Sequence, residues 1–195
     1  MKLPVAEIIS FGGISPDNDD IYGKMKDLKS RGFLGVKIHP DYQGVFIDDP
    51  RYIDIITIAK ELDLIVVTHA GFDAGFPEVV HCPPERARKV IEKTGHEKLV
   101  LAHYGGYQRW EEVYDLIAGT SVCIDTAFTL HEIEQGVFEK ILYKHGANKV
   151  LFATDCPWND QLYAVNKLKA YNLPKDILDK ILYKNATELL KLNEL

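Results

Sequence analysis

The sequence lacks the features that mark nucleic-acid-binding, membrane and disulfide-rich proteins. Its 23 lysines and arginines are outnumbered by 29 acidic residues and are scattered, so they form no basic stripe or polybasic patch. No apolar run approaches the roughly 20 residues that a membrane helix needs, and the first residues lack the charged-then-apolar pattern of a signal peptide. Its 3 cysteines have no CxxC spacing and suggest neither a disulfide framework nor a zinc–thiolate site. We therefore expect a cytoplasmic protein with a small-molecule partner and no nucleic-acid or membrane partner.

Nucleotide-binding signatures are missing too. The sequence contains neither a GxGxxG fingerprint nor a Walker phosphate loop. At 195 residues and 46% hydrophobic content, the chain is long enough to bury a full core, which predicts one domain over residues 1–195.

The sequence does contain a repeated pattern in which an apolar run ends in a residue that can carry chemistry. The motif LIVVTHAG carries His69, LVLAHYGG carries His103, and VLFATDCPW carries Asp155. Fainter copies of the pattern are GVKIHPD and VCIDT. Because the loops after parallel strands share one face of an α/β fold, we expect these two histidines and the aspartate to converge on one cavity.

Strand and helix patterns alternate along the chain. The predicted strands are residues 6–11, 35–39, 64–69, 99–103, 121–126 and 150–154. The predicted helices are residues 20–31, 50–63, 84–94, 109–117, 130–145, 161–170 and 174–190. Such an alternation fits either an open doubly wound sheet or an α/β barrel, and active groups at several strand ends favour the barrel. A closed barrel has eight strands, whereas this pattern predicts six.

The motifs GVKIHPDYQ, VTHAG, LAHYGG and FATDCPW resemble the amidohydrolase-related family of metal-dependent hydrolases, which includes non-oxidative decarboxylases. The resemblance implies a TIM-like (β/α) barrel of which this chain holds the last six of eight strands. It also implies a divalent metal, zinc by expectation, with His69 as a ligand. His103 would be a catalytic acid/base or second ligand, and Asp155 a ligand that accepts the proton of the attacking water.

One departure from the family pattern concerns the metal. The first strand of the family ends in His-x-His, which supplies two ligands, and this sequence contains no such motif. The chain would then be a fragment or wrongly started reading frame of a longer protein, or a short relative with an impaired site. Either alternative predicts loosely held zinc and exposed sheet edges, and such edges predict a homo-oligomer.

Other residues are candidates for contacts with substrate. His39 follows the second predicted strand, His81 lies in the long loop over residues 70–84, and Trp158 follows Asp155. The remaining histidines at positions 96, 131 and 145 are predicted to be solvated.

Two classes of function stay open. One is a hydrolase of an amide, ester or lactone-type bond, with decarboxylation as a variant, and the other is a non-catalytic barrel remnant that binds a small molecule or another chain.

Overall fold

The computed structural model describes residues 8–192, which form one open sheet of six parallel strands with helices between them. Each strand pairs with the next one in the chain, and β1 and β6 are the two edges of this described sheet. The strands are β1 (Gly12–Gly13), β2 (Gly35–Ile38), β3 (Ile65–Thr68), β4 (Leu99–Leu101), β5 (Cys123–Asp125) and β6 (Val150–Leu151). This architecture is the predicted incomplete TIM-like (β/α) barrel. Association through its edges stays a prediction, which light scattering would test.

The helices begin where the sequence places start signals. Pro50 and Pro84 occupy first turns, where a missing N–H costs no helical hydrogen bond, and the Asp20 carboxylate accepts the Gly23 N–H. The helices are α1 (Ile21–Ser30), α2 (Pro40–Gln43), α3 (Pro50–Glu61), α4 (Pro84–Thr94), α5 (Trp110–Glu112), α6 (Gln135–His145), α7 (Gln161–Ala170), α8 (Lys175–Asp179) and α9 (Asn185–Leu189). No helix within residues 8–192 is long and apolar enough to cross a membrane.

Three predicted helices differ clearly from the structure. The helix predicted over residues 109–117 is α-helical only at Trp110–Glu112 and continues as a π-type turn at Val113–Ile117. The helix predicted over residues 130–145 begins at Gln135, after a series of turns. The helix predicted over residues 174–190 is divided into α8 and α9 by a wider π-type turn at Lys180–Lys184. After this turn, the Asn185 amide donates hydrogen bonds of 2.7 Å to the carbonyls of Ala147 and Val150. The division therefore accompanies the anchoring of α9 to the start of β6.

The first strand was predicted over residues 6–11, and this prediction is wrong for the part that the structure describes. Residues 6 and 7 lie outside the described residues, residues 8–11 are not strand, and β1 is the glycine pair that follows. A Cβ atom on Gly12 would lie 2.6 Å from Cδ1 of Leu28 in α1. A side chain at this position would require Leu28 to shift, so glycine suits the close packing of α1 against β1.

The two faces of the sheet are covered by different elements. The outer face forms the main core with the helices, and the inner face forms a smaller core with α9. The inner core consists of Ile65, Val100, Cys123 and Leu151, against which Ala186, Leu189 and Leu190 pack. Lys191 pairs with Asp63, just before β3, at 3.2 Å. The end of α9 therefore lies at the amino-terminal ends of the strands, and the carboxyl ends remain for the site.

His96 and His145 were predicted to be solvated, and both predictions are wrong. His96 is 3% exposed and contacts the Leu64 carbonyl at 2.9 Å through Nε2, whereas His145 is 2% exposed and accepts the Gly119 N–H at Nδ1. Each histidine contacts a distant backbone group through one ring nitrogen, whereas Nε2 of His145 is buried without a hydrogen-bond partner among the described residues.

The buried His145 predicts a loss of stability at acidic pH. Burial lowers its pKa from the usual 6.5 to about 4, so below pH 6.5 the unfolded chain binds a proton that the folded chain excludes. The free energy of unfolding should therefore fall as the pH drops, by about 2 kcal/mol between pH 7.5 and pH 5 for this group. Urea denaturation of the wild type and of His145→Gln at both pH values checks this. Equal pH dependence in the two proteins would contradict the assignment.

Candidate metal and catalytic site

Three histidines form a row at the carboxyl ends of three successive strands. His39 follows β2, His69 follows β3, and His103 comes two residues after β4. The rings of His39 and His69 are nearly parallel, with centroids 4.4 Å apart, and the centroids of His69 and His103 are 4.7 Å apart. The structure thus brings together two of the predicted metal-site residues, and it adds His39 to them.

Two aspartates lie against this row. The distance from His39 Nε2 to Asp73 Oδ2 is 3.4 Å. His69 Nε2 lies 3.8 Å from Asp41 Oδ2 and 4.0 Å from Asp73 Oδ2. The other oxygen of Asp41 accepts the His81 backbone N–H at 3.0 Å and contacts His81 Nδ1 at 3.1 Å. His81, predicted to contact substrate, therefore holds the buried Asp41 in place.

Burial keeps the first two imidazoles of the row neutral. It lowers the pKa of His69 to about 2, and the proximity of His103, His39 and Lys37 contributes in the same direction, because any positive charge on these groups would repel a proton on His69. Burial, followed by the charge of Lys37, lowers the pKa of His39 to about 4. A neutral imidazole is the form that binds a metal ion, so both rings are in the binding form at neutral pH.

His103 is held by the backbone and by Asp125. Asp125 Oδ1 accepts the N–H of His103 at 3.0 Å and the N–H of Ala127 at 2.9 Å. His103 Nδ1 lies 2.9 Å from the Ala127 carbonyl, so Nδ1 carries the proton and Nε2 presents a lone pair in the neutral ring. Burial raises the pKa of Asp125, while the neighbouring His103 opposes this rise. These contacts orient His103 as a group that can exchange a proton at Nε2.

A cavity of about 340 Å³ opens beside the row. His39, Tyr42 and the half-buried Lys37 line it, together with residues of the loop after β1. Tyr42 also contacts Phe76 of the long loop, with ring centroids 5.0 Å apart. The cavity can therefore present an amine, whose pKa burial lowers, an imidazole and an aromatic ring to a small molecule.

The remaining predicted site residues lie farther from the row or are open to solvent. Asp155 is exposed on the loop after β6. Among the described residues, the carboxylates within 4.0 Å of His69 Nε2 belong to Asp41 and Asp73, so Asp155 is not one of them. Trp158 is 73% exposed. The roles of Asp155 and Trp158 in the reaction remain predictions.

Sequence reasoning missed three acidic residues of this site. Asp41 and Asp125 stand at the ends of GVKIHPD and VCIDT, the two fainter copies of the strand pattern, so a signal for them was present. Asp73 lies in the loop after β3, and its position there carries no comparable signal. Loop geometry, which residue patterns do not encode, places it opposite His39.

Comparison with known proteins identifies the family. The family model described as Amidohydrolase matches residues 22–192. The chain belongs to this family. A comparison with curated proteins found no match.

Solved structures of enzymes share the fold at low identity. 2,6-Dihydroxybenzoate decarboxylase from Rhizobium is 16% identical with a TM-score of 0.66, over 94% of this chain and 71% of that one. Another similar structure is a probable 2-pyrone-4,6-dicarboxylic acid hydrolase from Acinetobacter baumannii with citric acid bound. It is 15% identical, with a TM-score of 0.69, and the match covers 93% of this chain and 72% of that chain. A third similar structure is 5-carboxyvanillate decarboxylase from Novosphingobium aromaticivorans, complexed with manganese and a nitrobenzoic acid. It is 15% identical, with a TM-score of 0.70, and the match covers 94% of this chain and 64% of that chain.

Proposed function

We propose that this protein is a metal-dependent hydrolase that attacks an amide, ester or lactone-type bond of a small molecule. The observation that carries the proposal is the buried row of neutral imidazoles at the carboxyl ends of β2, β3 and β4. The site fits a divalent ion, because His69 Nε2 is buried and has no hydrogen-bond partner among the described residues. By the resemblance, His69, His103 and Asp155 would hold the ion, and zinc is the expected metal. When bound, such an ion activates water and polarises a carbonyl group.

The chain's own residues would move the protons. His103 Nε2, oriented by the Nδ1 contact with Ala127, would donate a proton to the leaving group. Asp155 would accept the proton of the attacking water, as the resemblance implies. His39, with His81 and Trp158 as the other predicted contacts, would bind the substrate, and Lys37 in the adjacent cavity favours a substrate that carries a carboxylate.

A decarboxylase on the same site is the second candidate. The structurally similar proteins include decarboxylases of aromatic acids, and here Tyr42, which lines the cavity, forms an aromatic pair with Phe76. The purified protein, supplied with zinc or manganese, should be assayed against lactones and against hydroxybenzoic acids. Metal-dependent ring opening supports the hydrolase, and release of carbon dioxide supports the decarboxylase. Binding of these compounds without turnover would support a non-catalytic barrel that binds a small molecule.

The role of His103 predicts a specific kinetic result. His103→Asn should lower kcat about 100-fold to 10,000-fold, because general acid–base catalysis contributes this much. The thermal melt should change little, since the asparagine amide can donate to the Ala127 carbonyl in place of Nδ1. Zinc affinity should be measured in parallel, because a loss of affinity in this variant would make His103 a ligand. A variant with wild-type kcat would contradict both roles.

A further inference from the structure

The atoms of His39, His69 and Asp73 have the spacing of ligands around one ion, and Asp41 lies beside His69. One ligand atom from each of His39, His69 and Asp73 lies within 4.8 Å of the others. The closest distances are 3.4 Å from His39 Nε2 to Asp73 Oδ2, and 3.8 and 4.0 Å from His69 Nε2 to Asp41 Oδ2 and Asp73 Oδ2. Two ligand atoms about 2.1 Å from a tetrahedral ion lie about 3.4 Å apart. The contacts of His69 are too long for hydrogen bonds and close to this ligand spacing.

Two of these atoms are buried without a partner. The side chain of His69 is 7% exposed and that of Asp41 is 0% exposed. Among the described residues, neither His69 Nε2 nor Asp41 Oδ2 has a hydrogen-bond partner, although the two atoms face each other. Buried polar atoms are nearly always paired, and a cation between these atoms would pair both.

Neighbouring backbone groups orient the rings. The Gly71 backbone hydrogen-bonds to the His69 ring, and since Nε2 is unpartnered this contact uses Nδ1. Such a bond from the second nitrogen is the usual support of a metal-binding histidine. In His39, Nδ1 accepts the Tyr42 N–H at 3.4 Å, so binding an ion through Nε2 moves the ring proton to Nδ1 and requires this long contact to break.

We propose that His39, His69 and Asp73 bind one divalent transition-metal ion, with the buried Asp41 Oδ2 beside the ion on the His69 side. Two imidazoles suit zinc or cobalt, and the two carboxylates balance the charge of the ion. This inference rests on the proposed function, replaces the ligand set that the resemblance implies, and makes His39 a ligand of the ion in place of a substrate contact. The site is complete within the described residues and needs neither a His-x-His motif nor Asp155.

The full chain, freed of metal with a chelator, should be titrated with zinc by calorimetry and with cobalt by absorbance. We expect one equivalent to bind, with a cobalt spectrum of tetrahedral nitrogen–oxygen coordination. His69→Ala, His39→Ala and Asp73→Ala should each weaken zinc binding about 100-fold or more. Glu78→Ala, an exposed acidic residue of the same loop, is the matched control and should bind as the wild type does. Circular dichroism melts and the conservative variants Asp73→Asn and His39→Gln separate loss of a ligand from loss of folding.

Other outcomes would overturn the inference. Wild-type zinc affinity in Asp73→Ala and His39→Ala, together with a large loss in Asp155→Ala, would assign the ion to the set implied by the resemblance. Failure of the metal-free wild type to bind zinc or cobalt would also overturn it. Zinc binding that depends on His39 and Asp73, in a protein with no turnover, would support the site and contradict the hydrolase.

Discussion

Replacement of Gly71 by alanine is expected to destabilise the protein by about 3 kcal/mol or more, through backbone strain and overpacking. Gly71 has a φ of +90°, and a Cβ atom there would overlap the Tyr107 nitrogen and lie 2.5 Å from the Tyr107 oxygen. The backbone cannot easily move aside, because the Tyr107 N–H donates to the Ala70 carbonyl and the Phe72 N–H donates to the Tyr107 carbonyl. The alanine variant should also lose zinc binding, since these bonds position the loop that carries Asp73.

Urea denaturation at pH 7.5 measures this effect. Gly136→Ala is the matched control, because Gly136 lies in α6 and a Cβ atom there would have no neighbour within 4 Å. This control should be neutral or stabilised by about 1 kcal/mol, as alanine favours helix more than glycine does. Wild-type stability in Gly71→Ala would show that the contact between the two loops is adjustable.

The second large effect is expected for Asp125→Ala. Asp125 is 7% exposed, and its Oδ1 atom accepts the N–H groups of both His103 and Ala127. Alanine would leave two buried N–H groups without an acceptor and would remove a carboxylate near Lys37, at a cost of about 3 to 5 kcal/mol. His103 should lose its orientation as well, because it and Tyr104 adopt left-handed conformations, with φ of 58° and 59°, that this contact supports.

A comparison with Asp125→Asn identifies the cause. Asparagine retains an oxygen that can accept both N–H groups, so it should recover most of the stability if hydrogen bonding dominates. If both variants are destabilised equally, the charge of the carboxylate is the main contribution. Thermal and urea melts of the two proteins give this result, and full stability in Asp125→Ala would contradict the role of the contact.

The regular elements were largely predictable because their signals are local. Apolar runs identified β2 to β6, and the bounds of α4 and α7 agree with the predicted ranges 84–94 and 161–170. The position of β1 was not predictable from apolar pattern, because β1 consists of two glycines and is defined by its pairing with Val36 and Lys37 of β2. His96 and His145 were also mispredicted, since their burial depends on carbonyl and N–H groups more than 20 residues away.

The sequence by itself determined the alternation of strands and helices, the family, and the positions of His69 and His103 at adjacent strand ends. These follow from residue patterns within single segments and from the parallel order of the strands. The tertiary structure alone decided that Asp73 and Asp41 face His39 and His69, and that Asp155 lies on an exposed loop. Strand ends are positioned by regular pairing, whereas the paths of the loops after β2, β3 and β6 depend on contacts between distant segments.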